Sequence, residues 1–176
     1  LAAAGVTATA VTLAACAMSV VTGTWLAVSS PPPMAFLLMP AVLFLRMALN
    51  AVDGMLAREF GQKSRLGGFL NELTDVVSDA ALLWPFALLP GSHPLPVALV
   101  ALLAALSEHT GVGGVMVGAS RRYDGPMGKS DRAFVLGVLA LPVGLGADVS
   151  PWLVPVFAAM AALTAWPIVN RVRGAL

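Results

Sequence analysis

Apolar residues run in six long stretches, at Ala3–Val28, Met34–Met55, Leu66–Leu89, Pro96–Val117, Ala133–Leu145 and Trp152–Ile168. Most approach the roughly 20 residues that carry a helix across the bilayer hydrocarbon. The fifth is the shortest and gains length from flanking loop residues. Breakers fall between the stretches: Pro31-Pro32-Pro33, Gly91 to Pro96, Tyr123-Asp124-Gly125-Pro126, and Gly146 to Pro151. A soluble helical bundle needs polar outer faces, and these stretches lack them. The pattern predicts an all-α polytopic membrane protein with six transmembrane helices, forming one domain over residues 1–176.

Composition agrees. The chain is 59% hydrophobic and only 11% charged, against about a quarter charged in soluble domains. Its mean hydropathy is +0.88. Cys16 is the sole cysteine, so neither an internal disulfide nor a thiolate metal site is expected. A net charge of +1 offers no electrostatic footprint for nucleic acid. The first residues have no basic segment ahead of them and no initial Met. We read them as a membrane span of a chain truncated at its N-terminus, not as a signal peptide.

Charge placement orients the helices. Six spans put Arg58, Lys63 and Arg65 on the same side as Arg121, Arg122, Lys129 and Arg132, and as Arg171 and Arg173. The opposite loops contain no Lys or Arg. The positive-inside rule then predicts that both termini face the cytoplasm. Arg46 is the one basic residue inside a predicted span. Trp25, Trp84, Trp152 and Trp166 lie mostly near span ends, as an interfacial belt requires.

The stretch from Asn50 to Asp79 breaks the apolar pattern. Arg46, Asn50, Asp53 and Ala57 recur at four, three and four residues, on one helical stripe. Asn71, Glu72, Asp75 and Asp79 fall at about 0, 100, 40 and 80 degrees around the next helix, within one arc. Carboxylates are costly in hydrocarbon, and clustered like charges repel unless cations neutralise them. Hard oxygen donors suit Mg²⁺, Mn²⁺ or Ca²⁺, and no Cys/His set argues for zinc. Ion pairing with Arg46 and Arg58, or an ion or proton pathway as in a small transporter, would also account for buried acids. Gly54, Gly67 and Gly68 permit close approach of a nucleotide or of a neighbouring helix. Arg58 stands where it can contact a phosphate.

Two other features carry polar chemistry. The loop from Arg121 to Arg132 holds Arg121, Arg122, Lys129 and Arg132. It can bind an anionic substrate group, or it can serve as positive-inside charge against lipid headgroups. Its Gly128-Lys129-Ser130 run is not a nucleotide P-loop, because the preceding glycine-rich pattern and strand are missing. Glu108 and His109 fall in the middle of the fourth predicted span. They either reach the polar cavity or form a buried hydrogen-bonded pair.

The register Asn50-x2-Asp53-Gly54-x2-Ala57-Arg58-x8-Gly67-x3-Asn71-x3-Asp75 resembles the signature of the CDP-alcohol phosphatidyltransferases, D-x2-D-G-x2-A-R-x8-G-x3-D-x3-D. The spacing is kept throughout, and the six-span plan is also similar. This chain departs at the first and third aspartates, which are Asn50 and Asn71. Asparagine keeps an oxygen donor but loses the charge.

The resemblance implies a single catalytic domain in the inner (cytoplasmic) membrane, its active site opening to the cytoplasm. A hydroxyl of a small polar acceptor alcohol attacks a CDP-alcohol, CDP-diacylglycerol foremost, in phospholipid biosynthesis. CMP leaves. It further implies two Mg²⁺ or Mn²⁺ ions, a homodimer and contact with membrane lipids. Asp75 matches the proposed base, with Asp53 and Arg58 as its catalytic companions. Gly54, Ala57, Arg58 and Gly67 would receive the cytidine diphosphate. Arg121, Arg122, Lys129, Glu108 and His109 would receive the acceptor. Glu72 and Asp79 would restore the charge missing from Asn50 and Asn71, giving a shifted ligand set of Asp53, Glu72, Asp75 and Asp79 helped by the two asparagines. The alternatives are a catalytically impaired relative that binds nucleotide or lipid, and the ion-coupled transporter.

Overall fold

The computed structural model describes residues 5–29, 31–123 and 125–176. Ala3 and Ala4 of the first predicted span, and Asp124 of the basic loop, lie outside the described residues. Within them the chain forms six α-helices: α1 (Ala8–Val28), α2 (Leu38–Glu59), α3 (Arg65–Ala87), α4 (Pro94–Gly113), α5 (Lys129–Gly144) and α6 (Ser150–Ala175). Short 3-10 segments, Pro33–Leu37 and Gly114–Val117, lead into α2 and follow α4.

Helix starts follow local chemistry. The Thr7 hydroxyl accepts from the Ala10 N–H at 3.1 Å, and the Ser64 hydroxyl from the Gly67 N–H at 2.9 Å. Each satisfies a donor that the first turn leaves without a helical partner. Pro94 occupies the first turn of α4, where its missing N–H costs nothing, so that helix begins ahead of the predicted Pro96. The Asp131 carboxylate accepts from the Gly128 N–H at 3.0 Å and opens α5. Two helices run on past the C-terminal ends of their apolar stretches. α2 continues past Met55 to Glu59, and α6 continues past Ile168 to Ala175. Arg58, Arg171 and Arg173 are therefore helical residues, not loop residues.

The fold is an all-α, polytopic membrane architecture. Among the described residues, four segments are long and apolar enough to cross a bilayer on their own: Ala8–Val28, Pro33–Glu59, Pro94–Val117 and Ser150–Ala175. α3 and α5 fall short of that measure for a chemical reason. α3 carries Glu72, Asp75 and Asp79, and α5 is short and begins with Lys129, Asp131 and Arg132.

An apolar core lies toward one end of the bundle. Phe86 is fully buried, and its ring meets Phe36 edge-on at 5.6 Å and Phe157 at 5.8 Å. Met39, Leu82, Val100 and Leu153 complete the same cluster, joining α2, α3, α4 and α6. Phe44, Phe69, Trp84, Phe134 and Trp152 face outward, as lipid contact requires. α1 packs chiefly on α3 and α2, α4 on α6, and α2 on α5.

A close approach of α1 to α3 explains Gly23. A Cβ built there would lie 2.0 Å from the Ala81 carbonyl oxygen of α3. In an unconstrained helix, Gly→Ala is favourable by about 1 kcal/mol. Here the sign reverses, because backbone blocks the added carbon. Gly23→Ala is expected to lower the thermal unfolding midpoint in detergent, whereas Gly68→Ala, whose added carbon meets open space, leaves it level or higher.

Candidate active site

The other end of the bundle opens into a cavity of about 830 Å³. It lies where the N-terminal ends of α1, α3 and α5 meet the C-terminal ends of α2, α4 and α6. Asn50, Asp53, Gly54, Ala57 and Arg58 line it from α2. Gly67, Asn71, Glu72 and Asp75 line it from α3. Glu108, Arg121, Lys129 and Arg171 enclose it from the remaining elements. Every position of the Asn50–Asp75 register is thus on one wall or the other. Helical spacing accomplishes this: the α2 residues share a stripe, and the α3 residues share an arc that faces it.

Hydrogen bonds hold the two central carboxylates in place. Asp53 is buried, and its Oδ2 accepts the Thr12 hydroxyl at 2.6 Å. The Asp75 Oδ1 accepts the Asn50 amide at 3.1 Å, and its Oδ2 accepts the Lys129 ammonium at 2.5 Å. The two carboxylates are near enough to act on one another electrostatically. Arg58 is exposed and lies back over Gly54. A Cβ at Gly54 would come within 3.1 Å of its guanidinium, so this glycine leaves room for the Arg58 head at the cavity wall.

The predicted α3 arc serves two purposes. Asp79 does not line the cavity. It lies beneath the floor, with Oδ1 at 2.5 Å from Arg46 Nη1 and Oδ2 at 2.7 Å from Arg132 Nη2. Each of its oxygens therefore faces an arginine. Glu72 does line the cavity, and both its oxygens bond Arg121, one of them at 3.0 Å. Burial works against the Arg121 charge, but Glu72, together with Tyr123 and Glu108, more than offsets it and holds the guanidinium above its ordinary pKa. Among the described residues, no three His, Cys, Asp or Glu side chains gather as a metal-holding group. The geometry leaves Asp53 and Asp75, with the amides of Asn50 and Asn71, as the oxygen donors around the centre.

Glu108 and His109 part company. Glu108 lies in the second half of α4 and reaches Arg132 at 3.5 Å, Arg121 at 3.8 Å and Arg171 at 3.9 Å. His109 is exposed and does not line the cavity. Successive helix residues point about 100 degrees apart, so an inward Glu108 turns its neighbour outward, and the two do not form a buried pair. Arg122 also stays off the cavity wall. Its guanidinium lies against Gly174 of α6, and its N–H donates to the Gly111 carbonyl at 3.1 Å.

Several residues of the site carry no sequence signal of their own. Thr12 is a small polar residue in an apolar helix, and such residues usually bond their own backbone. Arg171 is buried and donates to the Ser107 carbonyl at 2.5 Å. Gln62 ties the α2–α3 loop to α1 through the Ala8 N–H at 2.7 Å. Only the tertiary arrangement reveals these partners.

A profile of the CDP-alcohol phosphatidyltransferases matches residues 5–168. The chain belongs to that family. It is 44% identical over 171 residues to Inner membrane protein YnbA of Escherichia coli (strain K12), covering 97% of this chain and 85% of that protein. It is 33% identical over 120 residues to an archaetidylinositol phosphate synthase of Aeropyrum pernix, covering 68% of this chain and 58% of that one. Its fold is similar to that of Mycobacterium tuberculosis phosphatidylinositol phosphate synthase (PgsA1) with CDP-DAG bound. There the TM-score is 0.74 at 21% identity, over 99% of this chain and 89% of that one. A second structure of that enzyme, in complex with manganese and citrate, has a TM-score of 0.69 at 20% identity, covering 99% and 85%.

Removing one partner of a buried ion pair typically costs about 3–5 kcal/mol, because a charge is left uncompensated. Asp79→Ala removes the nearest carboxylate from two arginines whose side chains are 4% and 3% exposed. It is expected to destabilise the protein on that scale in a detergent unfolding titration. Glu72→Ala, whose pair with Arg121 is far more exposed, costs less.

Proposed function

We propose that the chain is a membrane enzyme that transfers a substituted phosphate from a CDP-alcohol, CDP-diacylglycerol foremost, to a small polar acceptor alcohol with release of CMP. The observation that carries this reading is the convergence of the whole Asn50–Asp75 register on one cavity. Six spans place both termini, the cavity and the basic segments at one face, which the positive-inside rule assigns to the cytoplasm. The relationship to an Escherichia coli inner membrane protein supports the inner membrane as its location. Residues 1–176 act as one catalytic domain in this reading, and the family resemblance extends it to a homodimer.

The donor set fits a divalent cation. Asp53 supplies charge, and Asn50 and Asn71 carry neutral amide oxygens, all hard donors suited to Mg²⁺ or Mn²⁺. When bound, such an ion neutralises the diphosphate and the charge that develops on the departing CMP phosphate. Glu72 and Asp79 do not contribute ligands in this scheme, because their oxygens are engaged by arginines.

The side chains divide the remaining work. Gly54, Ala57 and Gly67 leave space for the cytidine diphosphate, and Arg58 binds its phosphates. Arg121 and Lys129 present positive charge to an anionic acceptor. Glu108, at the cavity wall, pairs with Arg121 at 3.8 Å. Arg122 and His109 are not acceptor contacts in this scheme, since neither lines the cavity. Asp75 takes the proton of the acceptor hydroxyl, using lone pairs not engaged by Asn50 and Lys129. The hydroxyl oxygen bonds the phosphorus that bears the alcohol. The P–O bond to CMP breaks, and its electron pair leaves with CMP. Thr12 is a positioning residue, holding Asp53 at the cavity wall.

Purified protein supplied with CDP-diacylglycerol, Mg²⁺ or Mn²⁺ and a panel of acceptor alcohols is expected to release CMP with one acceptor and to stop on chelation. Asp75→Asn lowers that rate at least about 100-fold, the low end of general-base catalysis. Thr12→Val lowers it about ten- to hundredfold, the scale of one hydrogen bond to a charged group, and Thr12→Ser restores it. Folded protein that releases no CMP with any acceptor would point instead to a nucleotide- or lipid-binding relative disabled at Asn50 and Asn71.

A further inference from the structure

The two departures from the family register change what the cavity can hold. A site built on four aspartates has four negative charges at its centre, and two divalent cations balance them. Here Asn50 and Asn71 leave two carboxylates, Asp53 and Asp75. Glu72 and Asp79 do not make up the difference, since Arg121 takes one and Arg46 with Arg132 takes the other.

The contacts of Asp75 show what replaces the missing charge. The Asn50 amide donates to Oδ1 at 3.1 Å. An aspartate at this position could not donate, and two carboxylates in contact would repel unless a cation lay between them. The opposite amide orientation would set oxygen against oxygen, so the chemistry selects the donating one. On the other oxygen, the Lys129 ammonium approaches to 2.5 Å. Arg46 adds a second positive neighbour at 3.4 Å. Asp75 is thus neutralised by groups of the chain itself. Asp53 has a different environment, bonded by the uncharged Thr12 hydroxyl.

We infer that each chain holds one divalent cation, centred on Asp53, and that Lys129 with Asn50 takes the place of a second ion at Asp75. This rests on the reading of the cavity as a metal-assisted CDP-alcohol site. Lys129 retains N–H donors beyond the one given to Asp75 and can still face an anionic substrate group.

The test counts metal and does not depend on turnover. Full-length protein in detergent, stripped with chelator and dialysed against Mn²⁺, is expected to bind one Mn²⁺ per chain by elemental analysis. Its electron paramagnetic resonance spectrum should be that of an isolated ion, and Asp53→Asn should lose it. The triple variant Asn50→Asp, Asn71→Asp, Lys129→Gln should bind two ions and show the spin coupling of a close pair. Two ions per chain in the unaltered protein would overturn the inference and leave the transfer reading standing. None would overturn the inference and the metal part of that reading together. Retention of the ion by Asp53→Asn would overturn its assignment to that residue. The measurements on unaltered protein decide the matter even if the triple variant does not fold.

Discussion

Asp79 is the residue through which the charged half of the bundle is joined to its apolar half. Its two oxygens bind Arg46 of α2 and Arg132 of α5, and all three side chains are nearly excluded from solvent. An isolated carboxylate or guanidinium at that depth would be costly, so each group requires the others. Arg132 also donates to the Met127 carbonyl at 3.0 Å, which ties the loop ahead of α5 to the same point. Three helices and the basic loop are therefore registered against one another by a single carboxylate. Asp75 and Glu108, which line the cavity, meet this cluster through Arg46 and Arg132.

That arrangement separates two kinds of packing. On one side of the cluster, Phe36, Phe86 and Phe157 fill the bundle without polar interruption. On the other, the helix ends splay around the cavity, and hydrogen bonds replace apolar contact: Thr12 to Asp53, Asn50 to Asp75, Arg121 to Glu72. The first side supplies a rigid base. The second presents polar atoms whose partners in the protein fix their direction, which is the condition for electrostatic preorganisation of a reacting group.

The family register is usually understood through its four aspartates, and this chain has two of them. The substitutions do not leave a gap. Asn50 donates where an aspartate could only accept, and the Lys129 ammonium sits against the same carboxylate. The spacing of the register is thus kept while the charge is redistributed between side chains. Glu72 and Asp79, the obvious candidates to restore negative charge from their helical angles, are each committed to arginines. Angle around a helix indicates which residues can meet; it does not indicate which cation reaches them first.

Much of this molecule is legible in its sequence, because the bilayer imposes a strict local rule. An apolar run of spanning length must be helical to satisfy its own backbone, so the helices and their order follow from composition and breakers alone. The register from Asn50 to Asp75 is equally local, since fixed spacing on two successive helices determines which faces meet across a short loop. Partner choice among charges is not local. Residues 33 positions apart, Arg46 and Asp79, and 53 apart, Asp79 and Arg132, are brought together only by packing. The same holds for Thr12 and Asp53, 41 apart, and for the outward turn of His109. The sequence determined the helices, their order and the motif wall, through constraints that act within a turn or two. The tertiary structure decided which carboxylates face the cavity and which are neutralised below it, because ion pairing depends on distance in space and on exclusion of water.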